Sequence, residues 1–453
     1  MSEQITLPEK ISELTPSKRN NNHSTFKDPA FAKNKTIPIH RWVPWIAGFS
    51  SGFVNSALQK YSRKKGYLLD PFSGVGTTLV EALLNKQQSI GFEINPYAAF
   101  ACKVKASAHT IDIHELEENM CEFRQFFSHA IFSNYKPDSS QPRGFKTRGM
   151  FYSPKVLRKV LILQDYIKNI SHDPIKDLFR LAFASTMVRY SNYSYEPSLG
   201  RRKSSGKKDI EDFPVDRVFL EKLDEMLKDI KWVKVQLYKK EIPDIKIINE
   251  SFFKYKYYID PEIIDLVITS PPYLNNYHYN RNTRPQLYWL GFANSPKEFR
   301  PLEQANFGKY WQTVREEKLI GLKFSLPNTD LEERLQLIRS KNPKKGVYGG
   351  NGWANYAASY FNDCYIFAEG IMYCLKSGGT ALVVIGNSIL QGIQVPTDYY
   401  FGKIAEIVGL ELVKIHIPRQ ARVGTSIINS TVRVGKSPDK QGLYEAVVEL
   451  RKS

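Results

Sequence analysis

Apolar positions recur with two periods along this chain, and the alternation between them outlines the fold. Short apolar runs bounded by glycine, proline or acids predict strands at 66–70 (GYLLD), 87–93 (QQSIGFE), 245–249 (IKIIN), 263–269 (IIDLVIT), 380–386 (TALVVIG), 411–417 and 444–450. Helical spacing predicts helices over 53–61, 79–85, 113–129, 154–170, 175–190, 215–238, 356–375 and 399–408. The helix at 356–375 is expected to stop at Gly378 and Gly379. Strand, glycine turn, helix, strand and acid follow one another over 66–93, which opens a doubly wound α/β fold. The expected organisation is one α/β domain split by two insertions. A polar, mobile tail spans 1–35 and the first half of the core 36–110. A helical insertion occupies 111–245, and the second half of the core 246–453, with an irregular basic stretch at about 280–353.

Composition narrows the function classes. With 42% hydrophobic residues over 453 positions, a packed core is feasible and wholesale disorder is excluded. The 64 Lys+Arg against 46 Asp+Glu leave a net charge of +18, which suggests a polyanionic partner, with nucleic acid the leading class, or a lysine-rich solubilising surface. The four cysteines, Cys102, Cys121, Cys364 and Cys374, have no C-x-x-C spacing, so neither a disulfide scaffold nor a structural zinc is expected. Cys364 and Cys374 share a helix and are expected to face the core. No His/Asp/Glu cluster has metal-ligand spacing, and no metal is expected. Apolar stretches fall short of the roughly 18–20 residues that cross a bilayer, and the N-terminus lacks an apolar signal region. A soluble, cytoplasmic protein without membrane association is the expectation.

Two motifs carry the chemistry. In DPFSGVGTT (70–78), Gly74 and Gly76 sit where a strand hands over to a helix, and Glu93 closes the next strand as an acceptor for two ribose hydroxyls. The third glycine of a dinucleotide-binding turn is replaced by Leu79, which favours a nucleoside ligand without a pyrophosphate. In DLVITSPPY (265–273), a buried-type strand ends in Ser270, Pro271, Pro272 and Tyr273. Consecutive prolines fix φ and remove two N–H donors, leaving rigid carbonyl acceptors beside an aromatic ring. That combination suits a flat base with an exocyclic amine. A proline-stiffened turn is the plain reading of SPPY alone, and it weakens once the glycine turn and Glu93 fall on the same sheet.

DPFSGVGTT resembles the cofactor motif of the DNA amino-methyltransferases, and TSPPY resembles their catalytic motif. HRWVPWIAGFS (40–50) is similar to the segment that closes over the methionine end of their cofactor, and GGTALVVIGNS (378–388) to a later core strand. The resemblance covers roughly 36–110 and 246–430. It implies a Rossmann-like sheet of about seven strands with helical insertions, and S-adenosylmethionine as methyl donor. By that resemblance Asp70, Phe72, Gly74, Gly76 and Thr77 line the cofactor pocket and Glu93 holds the ribose. Asn249 and Glu250 lie near the cofactor adenine, and Ser270, Pro271, Pro272 and Tyr273 hold the target base. Serine at the first motif position is more typical of cytosine-N4 enzymes, and Asp or Asn of adenine-N6 enzymes. None of the four cysteines follows a proline, which disfavours cytosine-C5 chemistry. His40, beside Trp42 and Trp45, is expected to pack near the cofactor and not to act as a base.

Double-stranded DNA is the implied partner, with the target base flipped out of the stack. Arg201, Arg202, Lys203, Lys207 and Lys208 in one insertion and Lys341, Lys344 and Lys345 in the other are candidate phosphate contacts, with a solvated surface loop the plain reading of either cluster alone. Asn280, Arg281, Asn282, Thr283 and Arg284 after SPPY are candidates to contact the flipped strand or its neighbours. An adenine-N6 enzyme, an RNA base methyltransferase and a non-catalytic DNA-binding protein on a degenerate methyltransferase fold remain open. A cognate restriction endonuclease is a contextual expectation.

Overall fold

The computed structural model describes residues 31–45, 48–62, 66–195, 198–274, 279–421 and 443–453. Residues 1–30 of the tail expected over 1–35, Ile46 and Ala47 of the HRW segment, and 422–430 of the matched region lie outside them.

Among the described residues, seven strands form the central sheet: β1 (Tyr67–Asp70), β2 (Gln88–Phe92), β3 (Ile245–Ile248), β4 (Ile264–Thr269), β5 (Leu375–Gly386), β6 (Leu410–Ala421) and β7 (Leu443–Lys452). Their spatial order is β6-β7-β5-β4-β1-β2-β3. The first five pair in parallel, and β7 runs antiparallel between β5 and β6. Parallel strands need crossovers and bury both faces, and β4, with all six residues buried, has that continuous apolar character. The winding direction reverses between β1 and β4. In open sheets of this kind, ligands bind outside the carboxyl ends of the strands at such a switch point.

Numbering helices of eight residues or more, the chain forms α1 (Ser51–Tyr61), α2 (Thr77–Leu84), α3 (Pro96–Ala106), α4 (Ile113–Phe132), α5 (Pro154–Asn169), α6 (Asp173–Thr186), α7 (Val215–Leu237), α8 (Leu331–Ser340), α9 (Gly350–Cys374) and α10 (Thr397–Ile407). The structure corrects several expectations. The tail does not extend to residue 35. Phe31–Thr36 is a 3-10 helix, and buried Asn34 donates to the Phe49 carbonyl while accepting from Ser51 N. α3 was not foreseen, although Asn95-Pro96 marks its start: Asn95 Oδ1 caps Tyr97 N and Ala98 N, and proline occupies the first turn. α9 begins at Gly350 and ends at Cys374, before the two glycines. Leu375 is already extended because it pairs with Ile264. Gly378, with φ of +73°, then sits in a bulge where the β4–β5 register shifts between Ile264 and Leu266. The stretch 280–353 is not irregular throughout: it holds α8 and short helices at Arg284–Trp289 and Phe299–Ala305.

The insertion at 111–245 is no separate body. Its helices α4–α7 share one apolar core with Trp42, Val43, Val75, Val80 and Tyr97 of the first half. A second core lies under α9, where Cys364 and Cys374 are buried. Among the described residues no helix is long and apolar enough to cross a membrane.

Candidate active site at the carboxyl ends of β1 and β4

β1 and β4 are neighbours, so the ends of the two motifs meet. Thr269 Oγ1 donates to Asp70 Oδ1 at 2.6 Å across 199 residues of sequence, and Ser270 is the next residue. Asp70 is fully buried and also accepts from Phe72 N at 3.1 Å. Burial pushes its carboxyl up to about 6, against the opposing effect of the Thr269 hydrogen bond.

The turn between β1 and α2 requires its glycines. Gly74 and Gly76 have φ of +51° and +83°, and a Cβ at Gly76 would lie 2.6 Å from Cys102 Sγ on α3. The place of the missing third glycine is also accounted for. Leu79 packs on Gly91 of β2, where a Cβ would come within 2.8 Å of its Cδ2. Close helix–strand approach is thus provided from the strand side.

Glu93 stands beyond β2, half-buried. Its Oε2 accepts from Gly74 N at 2.9 Å and its Oε1 from Asn95 N at 2.7 Å, so each oxygen is anchored and keeps lone-pair capacity for further donors. Removal from solvent raises its carboxyl to about 7, with the two backbone bonds acting in the opposite direction. Asn249 is exposed and donates to the Glu93 carbonyl at 2.8 Å, closing the rim of the turn. Glu250 is engaged with Lys254 at 2.6 Å, so its carboxylate is already partnered. The Phe72 ring is packed edge-on against Phe307 and Phe367 at 5.2 Å each. Thr77 is buried at the start of α2, with its hydroxyl within 3.5 Å of Asn34 Nδ2.

On the β4 side, Ser270, Pro272 and Tyr273 are half-buried and Pro271 is buried. The Tyr273 ring rests on the backbone of Gly386 at the end of β5, where a Cβ would come within 3.0 Å of Cδ2 and Cε2. Its hydroxyl donates to Glu445 Oε1 of β7 at 3.3 Å. The ring is thus supported from the sheet behind it. The thiols contribute packing: burial raises Cys102 and Cys374 to about 12 and holds Cys364 well above the ordinary thiol value, leaving them protonated and poor nucleophiles. His40 is buried against Glu81 of α2 at 2.9 Å, and burial lowers its pKa.

The basic residues fall into two situations. Lys203 pairs with Asp209 at 2.8 Å, Arg202 Nε donates to the Lys208 carbonyl at 3.0 Å, and Arg201 lies against Gly149, while Lys207 and Lys208 are exposed. Their loop follows a small hairpin (Tyr193–Tyr195 and Leu199–Arg201), which docks on Asn282 through Tyr195 Oη and Leu199 N. Asn282 lies between Arg281 and Arg284, so the two inserted segments meet just beyond SPPY. Asn280 is bonded to Asn95 Nδ2 at 3.2 Å and borders a cleft of about 1160 Å³. Arg281, Arg284, Arg300, Lys309 and Lys323 line it, together with the carboxylates of Glu303, Glu317 and Asp363. Arg300, Lys309 and Lys323 carry no local sequence pattern that would single them out; only the folding of 296–323 over α9 gathers them.

Comparison with known proteins finds similarity to DNA methylases and type II methyltransferases. Residues 13–103 match the family model for DNA methylases. The chain is 26% identical to the type II methyltransferase M.BsoBI of Geobacillus stearothermophilus, over 94% of this chain and 86% of that one. It is 24% identical to the type II methyltransferase M.AvaI of a Nostoc species, over 85% and 82%. M.MvaI of Kocuria varians, another type II methyltransferase, is 26% identical over about half of each chain, 49% and 50%. The first two alignments are long enough to include the insertions.

Proposed function

We propose that the chain is a DNA amino-methyltransferase, as its likeness to DNA methylases and type II methyltransferases supports, and that it methylates the exocyclic N4 amine of cytosine at a specific site in double-stranded DNA. The observation that carries this reading is the Asp70–Thr269 hydrogen bond, which sets the cofactor turn beside Ser270–Tyr273. Serine at the first motif position favours cytosine over adenine.

The residues fit S-adenosylmethionine, the donor this family implies. The turn bends sharply through two positive-φ glycines, of which Gly74 is half-buried, and Glu93 retains acceptor capacity for a ribose. When bound, the cofactor supplies an electrophilic methyl group on a sulfonium. The amine of the base is a weak nucleophile because its lone pair is delocalised into the ring. Hydrogen bonds from its N–H groups to Ser270 Oγ and the Pro271 carbonyl favour a pyramidal nitrogen with an available lone pair. With the donor bound, Ser270 and Pro271 would hold the amine for the methyl group it supplies, and Ser270 would pass the surplus amine proton to solvent. Tyr273, backed by Gly386, stacks on the extrahelical base. Positioning supplies much of the acceleration, and no covalent enzyme intermediate is needed. We place the chain in the cytoplasm, in a restriction–modification pair with a cognate endonuclease.

Mapping modified bases in DNA from cells expressing the chain tests this reading. A recurrent site carrying N4-methylcytosine supports it, N6-methyladenine reassigns the base, and unmodified DNA rejects both.

Two expected results follow from the site. Ribose hydroxyls donate to the ionised Glu93, so cofactor affinity falls as pH drops through about 7, by up to about tenfold per pH unit once the carboxyl is protonated. Calorimetry between about pH 6 and about pH 8 shows this in the wild type, and the dependence disappears in Glu93→Gln; matching profiles contradict the assignment. Replacing Arg300, Lys309 and Lys323 together by alanine is expected to weaken DNA binding and to flatten log K against log salt by about 0.9 per lost phosphate contact. An unchanged slope means that the cleft does not carry the DNA backbone.

A further inference from the structure

We infer that Asp229, on α7 of the helical insertion, is a positioning residue for the cofactor site, holding Trp45 against the glycine turn; this rests on the proposed function. Asp229 is 1% exposed and accepts four hydrogen bonds from one short stretch of chain. Its Oδ2 takes Ile39 N at 2.8 Å, Trp42 Nε1 at 2.9 Å and Arg41 Nε at 3.1 Å, and its Oδ1 takes Arg41 Nη2 at 2.5 Å. A carboxylate is buried only when its charge and lone pairs are satisfied in this way.

The stretch is also strained. Ile39 has φ of +67° and ψ of −46°, a positive-φ turn conformation that a β-branched residue adopts only when its surroundings impose it, and its N–H is one of the four donors. Between the donors, His40 is bonded to Glu81 on α2, so 39–42 is pinned to both the insertion and the cofactor-turn helix. Three residues past Trp42, the Trp45 indole reaches the turn: a Cβ at Gly74 would lie 3.4 Å from Trp45 Nε1. Gly74 N is itself a donor to Glu93. The connection runs from α7 through the strained stretch to a wall of the cofactor pocket. The insertion thereby takes part in cofactor binding and is not only a candidate DNA reader.

The test compares Asp229→Asn, Trp45→Ala and the double variant by calorimetry with S-adenosylmethionine. Hydrogen exchange of the peptides 39–45 and 70–78 is followed in parallel. Each single variant is expected to weaken binding about tenfold. The double variant is expected to be no weaker than Trp45→Ala, because both changes remove one wall. Exchange quickens in both peptides of Asp229→Asn. A purely structural role lowers the melting temperature while leaving affinity and the 70–78 peptide unchanged, and that outcome overturns the inference, as does additivity. Should Asp229→Asn not fold, Trp42→Phe removes one donor while keeping the Arg41 pair. A wild-type chain that binds no S-adenosylmethionine rejects the proposed function; exchange at 70–78 then still decides whether Asp229 holds the turn.

Discussion

Replacing Ser270 by alanine is expected to lower kcat for methyl transfer by about 10²–10³, the usual cost of removing one hydrogen-bonding group that acts at the reacting centre. Tyr273→Ala is expected to cost about one to two orders of magnitude, the equivalent of about 1–3 kcal/mol of base stacking. The two losses differ in kind. Ser270 faces the amine, so its loss appears in kcat with little change in DNA affinity. Tyr273 holds the extrahelical base, so its loss also raises KM for DNA. Neither side chain belongs to the glycine turn, and calorimetric affinity for S-adenosylmethionine should stay within about twofold of wild type in both. Tritiated methyl transfer to DNA, run beside that titration, separates the effects. Wild-type rates in both variants remove SPPY from the chemistry.

Gly76→Ala is expected to be the most damaging single change at the cofactor turn. The residue has φ of +83°, and the new Cβ would meet Cys102 Sγ at 2.6 Å and the Cys102 Cα at 3.2 Å. A left-handed alanine alone costs about 1–3 kcal/mol, and the contact with α3 adds to it. Cofactor binding should be lost together with several degrees of melting temperature. Gly74→Ala is the control. Its φ is +51°, but the nearest atom, Trp45 Nε1, is 3.4 Å away, so only backbone strain applies. Cys102→Ala in the Gly76→Ala background should recover part of the stability, because the sulfur is the closer obstacle. Equal losses for the two glycines, or no recovery, contradict the packing described.

The elements that place the site were legible because they are short, strongly patterned and bounded by special residues. TALVVIG and IIDLVIT are buried parallel strands, and Asp70 and Ser270 sit at strand ends where chain direction must change. Pairing between β1 and β4 was beyond the sequence. It depends on Thr269 meeting Asp70 across 199 residues, for which neither residue carries a local signal. Helix α3 could have been anticipated from Asn95-Pro96, a cap followed by a first-turn proline. The end of α9 could not be read from its glycines. Pairing of Leu375 with Ile264 overrode them, and Gly378 serves a bulge instead. Apolar periodicity located α7 but could not show that Asp229 points inward, since a lone acid on an amphipathic helix ordinarily faces water. The cleft cations were missed for a related reason. Arg300, Lys309 and Lys323 lie in unpatterned segments, and their convergence is a property of the folded chain.

The most direct test of methyl transfer to cytosine N4 is made with the purified chain, labelled S-adenosylmethionine and unmodified double-stranded DNA, followed by digestion to nucleosides and chromatography. The expected result is label in N4-methylcytosine alone, formed about 10²–10³ times more slowly by Ser270→Ala. Label in N6-methyladenine or 5-methylcytosine, or in no nucleoside while the chain binds both cofactor and DNA, would contradict it.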